Sequence, residues 1–387
     1  YLKVRGTWGQ VGNSQISGRR FAYLATVTDS SSTSYTFGKN MDQNYGTTAI
    51  DEYAVDVTWE VADKTDIGVD MRLLNNKLNL QFDYFKESRE GIYLRRSSIP
   101  SYVGMINNPY GNIGKVENKG FELSVNYANS WGGDWSLSLM GNYSFNRNKV
   151  LEDDSTVVYP WQNTIGNKVG QRFGLVALGL FESYGEIAAS PVQTGDTRPG
   201  DIKYKDINGD GKIDEYDKVP IGWGSVPEIM YGFGFSVGWK NLSLTAMFQG
   251  AAHVDAMLSG EGVLPFSQGS SRGNLLSNIT DRWTEENPRQ NAFYPRLSIG
   301  NINMNYEEST WWLKDTDYLR LKNIELSYRL PDHWMKRIHL DNARIFIQGV
   351  NLLTFSSFKI WDVELGDGRG ARYPNIASVS LGVNFNF

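Results

Sequence analysis

Apolar and polar residues alternate along much of this chain with a period of two. The final stretch, 377–387, sets Val379, Leu381, Val383, Phe385 and Phe387 on one face and Ser378, Ser380, Gly382, Asn384 and Asn386 on the other. Successive side chains of an extended strand point to opposite sides, so the pattern predicts a strand with one apolar and one small or polar face. The same signature recurs in pairs. Ile67, Val69, Met71 and Leu73 share a face, and after Asn75-Asn76 so do Leu78, Leu80, Phe82 and Tyr84. Asn tolerates the positive φ of a tight hairpin turn, which makes this pair a hairpin. Phe121, Leu123, Val125 and Tyr127 lead through 129–134 into Trp135, Leu137, Leu139, Tyr143 and Phe145. Tyr231, Phe233, Phe235, Val237 and Trp239 lead through Lys240-Asn241 into Leu242, Leu244, Ala246 and Phe248. The last pair, 318–330 and 342–352, flanks a connection at 331–341 that contains one prospective helical turn, and its alternation slips near Asn323, as at a bulge.

This gives ten strands: 2–11, 66–74, 77–87, 118–128, 135–146, 229–239, 242–250, 318–330, 342–352 and 377–387. Connections within hairpins are short. Those between hairpins are long: 12–65, 88–117, 148–227, 251–317 and 353–376. Loops of that length are uncommon inside compact soluble domains. Short turns at one end and long loops at the other are the plan of an outer-membrane barrel, with periplasmic turns and extracellular loops. Strand directions alternate without error only if 169–181 belongs to one long outer excursion, 148–227, with no spanning strand in it. The fold expected is therefore all-β, an antiparallel transmembrane β-barrel in the outer membrane, about ten strands of it with long extracellular loops. A half-buried strand of a soluble sandwich would show the same alternation in any single segment.

Composition narrows the alternatives. Among 387 residues there are 40 Gly, 21 Tyr, 18 Phe and 12 Trp. No run of 18 apolar residues exists, so a membrane-spanning helix is not expected. A barrel strand exposes only every second residue to lipid, so a mean hydropathy of −0.41 is compatible with a barrel. The absence of Cys excludes disulfides and thiolate metal sites. His253, His333 and His339 are too few and scattered for a zinc site. A net charge of −5 without a basic stripe argues against nucleic acid. The opening residues, Tyr1–Gln10, are strand-like and do not resemble a signal peptide, so either a leader is removed or the sequence begins within a longer protein.

The most legible motif is DINGDGKIDEYD, residues 206–217. An EF-hand-type calcium loop takes oxygen ligands at positions 1, 3, 5, 7, 9 and 12, with glycine at 6. Asp206, Asn208, Asp210, the Lys212 carbonyl, Asp214 and Asp217 occupy those positions, and Gly211 is the sixth. The departure is Asp217, where a bidentate Glu is usual. The flanks carry Pro and Gly and no amphipathic helix, so a helix-opening sensor is not expected. The expectation is a structural Ca²⁺ clip on the 148–227 loop; the alternative is an acidic, Gly-rich turn without metal. Loop aromatics are dense. Trp311 and Trp312 precede a strand and suit an interface girdle or a loop core. Trp161 and Trp223 are candidates for contact with a ligand or a lid. The adjacent carboxylates Asp51-Glu52, Glu285-Glu286 and Glu307-Glu308 offer no acid/base geometry, and no enzyme activity is expected.

Taken together, residues 206–250, Trp311–Pro331, Ala343–Phe355 and the Phe-terminated final strand resemble the C-terminal part of a SusC-like TonB-dependent outer-membrane transporter of the Bacteroidetes type. Leu2–Asn13 and Trp59–Phe85 resemble the preceding barrel segments of that family, so the likeness runs end to end. The resemblance implies a plugged barrel of about 22 strands, powered through a TonB-ExbB-ExbD complex and covered by a SusD-like surface lipoprotein. It also implies import of a glycan, or of an oligopeptide. This sequence departs from the full pattern: it contains about ten strands and no plug. It reads as part of a larger transporter, because a half barrel would leave open strand edges in lipid. A self-contained ten-stranded barrel and a soluble calcium-stabilised carbohydrate-binding β protein are the alternatives.

Overall fold

The computed structural model describes residues 1–15, 21–39, 43–103, 105–266, 275–300, 302–337 and 340–386. His339 and Phe387, noted above, lie outside them. Ten strands form one antiparallel sheet in strict chain order. They are β1 (Leu2–Asn13), β2 (Glu60–Leu73), β3 (Leu78–Arg95), β4 (Tyr110–Trp131) and β5 (Trp135–Glu152). They continue as β6 (Ile229–Trp239), β7 (Leu242–Ala252), β8 (Tyr318–Arg329), β9 (Asn342–Ser356) and β10 (Ser378–Asn386). β1 and β10 are the edges. The turn between β2 and β3 is made by Leu74, Asn75 and Asn76, all at positive φ.

Register carries one apolar row after another across the sheet. Val4 faces Val69, which faces Phe82, then Leu123, Tyr143 and Tyr231. Leu139 faces Phe235, then Ala246, Ile324, Gly349 and Val379. The row survives two irregularities, at Met247/Phe248 and at Leu321/Asn323, the second at the predicted slip. This face is uncovered: Trp8 is 71% and Leu381 78% exposed. A continuous apolar band of this extent suits lipid, not water. From Trp135 to Phe145 the strand climbs roughly 25 Å once tilted, the height of a barrel's lipid-facing band. Trp135 and Trp239 lie 6.1 Å apart at the turn end of the band. At the loop end, Phe121 stacks near Phe82, Tyr143 and Phe145, at 6.1, 5.7 and 5.8 Å. The opposite face is polar, with the Arg5 guanidinium between Asp70 at 3.3 Å and Asp83 at 2.5 Å.

Several strands outrun their sequence-based limits, chiefly at the loop end; β4 also runs on to Trp131 at the turn end. β3 continues to Arg95, β4 starts at Tyr110 and β5 continues to Glu152. Beyond the membrane band both faces meet water, so apolar alternation stops. Cross-strand ion pairs run along the extension: Lys64–Glu87 at 3.2 Å, Arg89–Glu60 at 3.4 Å and Lys115–Glu90 at 2.5 Å. The connection 88–117 thereby shrinks to 96–109.

The loop-end segments form small sheets of their own. Thr26–Phe37 pairs with Gln43–Glu52. Arg172–Gly174 pairs with Val219–Ile221, and Ala177–Leu180 with Ile202–Tyr204, so 169–181 contributes nothing to the main sheet. Asp255–Met257 pairs with Leu313–Asp315. The pieces after β5, without the 26–52 hairpin, enclose a hydrophobic core containing Leu175, Ile202, Tyr204, Ile213, Leu258, Tyr294, Trp312 and Val363, drawn from three separate connections. Asp332–Arg337 is the short helix between β8 and β9.

Candidate functional site in the loop assembly

The loop assembly is held by arginines that join distant segments. Arg296 reaches both carboxylate oxygens of Asp201 at 2.9 Å, and Asp201 is 1% exposed. Asn305 donates to the same carboxylate at 2.9 Å. Arg172 bridges Asp255 at 3.2 Å and Asp367 at 2.7 Å. Arg320 bridges Asp362 at 2.7 Å and Glu364 at 2.5 Å. Asp255 also accepts the backbone N–H of Trp223 and, at 3.2 Å, of Gly224. Burial nevertheless pushes its carboxyl above the usual range, against those bonds and Arg172. Gly222 turns here at φ 65°, and a Cβ would fall 2.1 Å from the Asp255 carboxylate, so no other residue fits.

The acidic motif sits on this assembly. Ile213, 2% exposed, plants it in the core, and Lys212–Ile213 pairs in parallel with Val192–Gln193. Asp206 accepts N–H bonds from Gly209 at 2.6 Å and Gly211 at 2.9 Å. Gly209 and Gly211 have φ of 77° and 82°, which closes the tight loop. Asp217 is fully buried and accepts from Ile207 at 2.7 Å and Asp214 at 2.9 Å. Asn208 Oδ1 accepts from Asp210, and Asp214 caps the turn 215–217. Among the described residues, no Lys or Arg pairs with Asp206, Asp210, Asp214 or Asp217; Lys218 turns instead to Glu215 at 3.0 Å. Four carboxylates within twelve residues therefore lack a cation among the described residues. The donor set suits a hard, oxygen-binding ion in type and order. Among the described residues no three Asp, Glu, His or Cys groups converge as a ready-made metal cluster. A bound ion would draw on Asn208 and the Lys212 carbonyl as well.

The two tryptophans named above fall in different places. Trp161 stacks on Tyr159 at 4.6 Å, and its Nε1 donates to the Tyr216 carbonyl at 2.8 Å, so it braces the end of the acidic loop. Trp223 lies flat on His253 at 4.0 Å, with Lys168 5.7 Å from its ring. Beside it Glu228, 6% exposed, takes Arg147 at 2.7 Å, Lys168 at 3.4 Å and His253 Nδ1 at 3.1 Å. Burial raises the Glu228 carboxyl, but the hydrogen bonds from Arg147 and His253 and the nearby charges of Lys168 and Arg147 outweigh it. The group titrates below the usual carboxylate range. Trp312 is a core residue, 1% exposed, with Nε1 donating to Asn305 at 2.7 Å; Trp311 packs on the same core.

A cavity of about 570 Å³ opens beside this core. Leu276, Phe293, Phe358 and Ile360 make it apolar, and Lys314 supplies a cation. The Lys314 ammonium donates to the Trp311 carbonyl at 2.8 Å and lies 5.3 Å from the Phe293 ring. Burial draws it below the ordinary lysine range. Sequence reasoning missed Lys314, Glu228 and the arginine clamps. Their partners lie far away in the chain, and no spacing announces them.

A lipid-facing antiparallel wall with a structured loop assembly at one end defines a piece of outer-membrane β-barrel. The chain belongs to the family of TonB dependent receptor-like β-barrels, whose description matches residues 2–352. It is 28% identical to TonB-dependent receptor P3 of Formosa agariphila, over 100% of this chain and 39% of the relative. It is 25% identical to TonB-dependent receptor SusC of Bacteroides thetaiotaomicron, over 100% of this chain and 37% of that protein. The chain thus spans about two fifths of the length of these relatives. Among solved structures, a chain of the RagAB peptide transporter matches with a TM-score of 0.70 at 21% identity, covering 100% of this chain and 41% of that one. That likeness establishes the fold. The relatives are named as receptors and a transporter, and none as an enzyme.

Proposed function

We propose that this chain is the wall and outer-loop portion of an energy-driven outer-membrane importer that takes up an oligosaccharide or an oligopeptide. The observation that carries the reading is the loop assembly: a folded surface with its own core and a 570 Å³ cavity, built on one end of a lipid-facing wall. A barrel whose loops served only to join strands would need no such core. The names of SusC and of the RagAB peptide transporter support import as the task. A SusD-like lipoprotein would cover the loop face, and a TonB-ExbB-ExbD complex would act through a part of the receptor outside this chain. Trp161 and Trp223 are the ring faces we assign to ligand or lid contact. Uptake of labelled oligosaccharide and oligopeptide pools by cells with and without the full receptor tests this. Uptake lost both on receptor deletion and on removal of TonB supports import; uptake unchanged in both strains ends the reading.

We further propose that the 206–217 loop holds a structural Ca²⁺. The uncompensated carboxylates support it, as does the order of the donors. Calcium should protect the 148–227 segment from protease after chelation and resupply. If calorimetry on the chelated protein shows no binding at millimolar Ca²⁺, the clip does not exist.

A further inference from the structure

The outward face of the wall changes character abruptly above its aromatic girdle. Phe121 and Phe145 end the apolar band on β4 and β5, with Tyr84 facing Phe121 on β3. The next rung outward on the same face is Lys86 opposite Lys119 opposite Arg147. Arg147 lies 5.5 Å from the Phe145 ring, which fixes it on the lipid side. The rung beyond sets Glu117 opposite Lys149. Arg147 and Lys149 are two and four residues past the girdle, so they stand roughly 5 and 10 Å above it, at headgroup depth.

The charges here do not balance. Glu117 takes Lys86 at 2.8 Å and Lys119 at 3.4 Å. Glu228 takes Arg147 and Lys168 at 2.7 and 3.4 Å. Lys149 has no carboxylate partner among the described residues. Five cations (Lys86, Lys119, Arg147, Lys149, Lys168) thus share two carboxylates. One rung further out, Lys115 is matched by Glu90 at 2.5 Å, so the excess is confined to one level of the wall. At the head of β5, Arg147, Lys149 and Lys168 also line a cavity of about 270 Å³. Lys86 and Lys119 share Glu117 and are still 51% and 56% exposed, within reach of a ligand.

We propose that this patch on β3–β5, with the adjoining cavity, binds the phosphate groups of a glycolipid in the outer leaflet. Continuity with the lipid-facing band puts a membrane lipid against it. Arg and Lys donors at headgroup depth recognise phosphate by charge-assisted hydrogen bonds. The inference rests on the wall facing lipid and on the loop end facing outward; it is independent of the cargo imported.

The test uses the full receptor that contains this chain, purified in detergent. It is titrated with bisphosphorylated lipid A and with the dephosphorylated lipid, and bound lipid is counted by native mass spectrometry. A preference of about tenfold or more for the phosphorylated form is expected, the equivalent of one charge-assisted contact. The double variant Lys119→Gln/Lys149→Gln should lose that preference, and Lys119→Arg/Lys149→Arg should keep it. Lys149→Gln alone carries the test if the double variant loses its heat-modifiable mobility. Equal binding of both lipids overturns the proposal, as does a preference that survives the Gln variant. Displacement of the lipid by millimolar inorganic phosphate would make this a free-phosphate site. Stronger binding of cardiolipin than of lipid A would place the patch in the other leaflet. Either result overturns it too.

Discussion

Phe233 and Trp312 are both large apolar side chains, and they live in opposite surroundings. Phe233 in the wall is 44% exposed; Trp312 in the loop assembly is 1% exposed. The wall turns its apolar groups outward and relies on lipid to cover them. The loop assembly turns them inward and behaves like a small water-soluble domain, with buried ion pairs at its seams. One chain therefore contains two solvation regimes, and the boundary between them is the girdle of Phe121 and Phe145. The same substitution should have different consequences on the two sides.

The largest effect is expected at a seam of the loop assembly. Arg296→Ala leaves the Asp201 carboxylate buried with Asn305 and the Arg198 backbone N–H but no cation, and removing one partner of such a pair costs about 3–5 kcal/mol. Hydrogen exchange should rise across both 196–204 and 292–306 while the wall keeps its heat-modifiable mobility. If the wall unfolds as well, the two regions are not separable. Trp312→Ala should cost a comparable amount, about 3–5 kcal/mol, by opening a cavity; protease sensitivity confined to the loops is the readout. In the wall, the damaging change is the reverse. Leu139→Arg puts a charge near the middle of the lipid-facing band and should cost about 2–4 kcal/mol in a bilayer. Titrating folding in vesicles checks it, and an equal loss in the loop core would break the comparison. The smallest effect belongs to pH. Glu228 has a lowered folded pKa, so its stabilisation is complete above the ordinary value of 4.5 and disappears as pH falls through the lower folded value. Exchange near Trp223 and His253 should therefore increase on acidification below about pH 4.5, and Glu228→Gln should flatten that dependence.

The wall was legible in the sequence and the loop assembly was not, for a physical reason. A strand between lipid and lumen has two distinct surroundings at every step, so its side chains write a period of two. All ten strands were readable this way, as were the slip at Asn323 and the helical turn at 332–337. Where β3–β5 rise beyond the membrane, both faces meet water, and Glu87, Arg89 and Lys115 give no alternation to read. In the loop assembly, burial depends on partners such as Leu175, Tyr294 and Val363, from three different connections. No local pattern encodes that meeting. Of the site residues, the 206–217 turn was legible as a motif because its Asp, Asn and Gly recur at fixed steps; the Ca²⁺ we assign to it is a proposal. The Arg147–Glu228–His253 cluster was not, because three separate segments supply it.

The clamp made by Arg172 also sets an order of events. It joins Asp255 and Asp367, and Asp367 lies 195 residues away in the sequence. A contact of that separation forms more readily once the intervening chain is in place, because neighbouring contacts then share the entropic cost of closing the loop. The intervening chain includes β6 to β9. The expected order is therefore wall first, with the outer surface finished after it. During biogenesis the part of the loop core that packs on Phe358 and Val363 stays uncovered until the segment after β9 arrives, so a stalled insertion intermediate should present it to chaperones and proteases on whichever side of the membrane those loops then occupy.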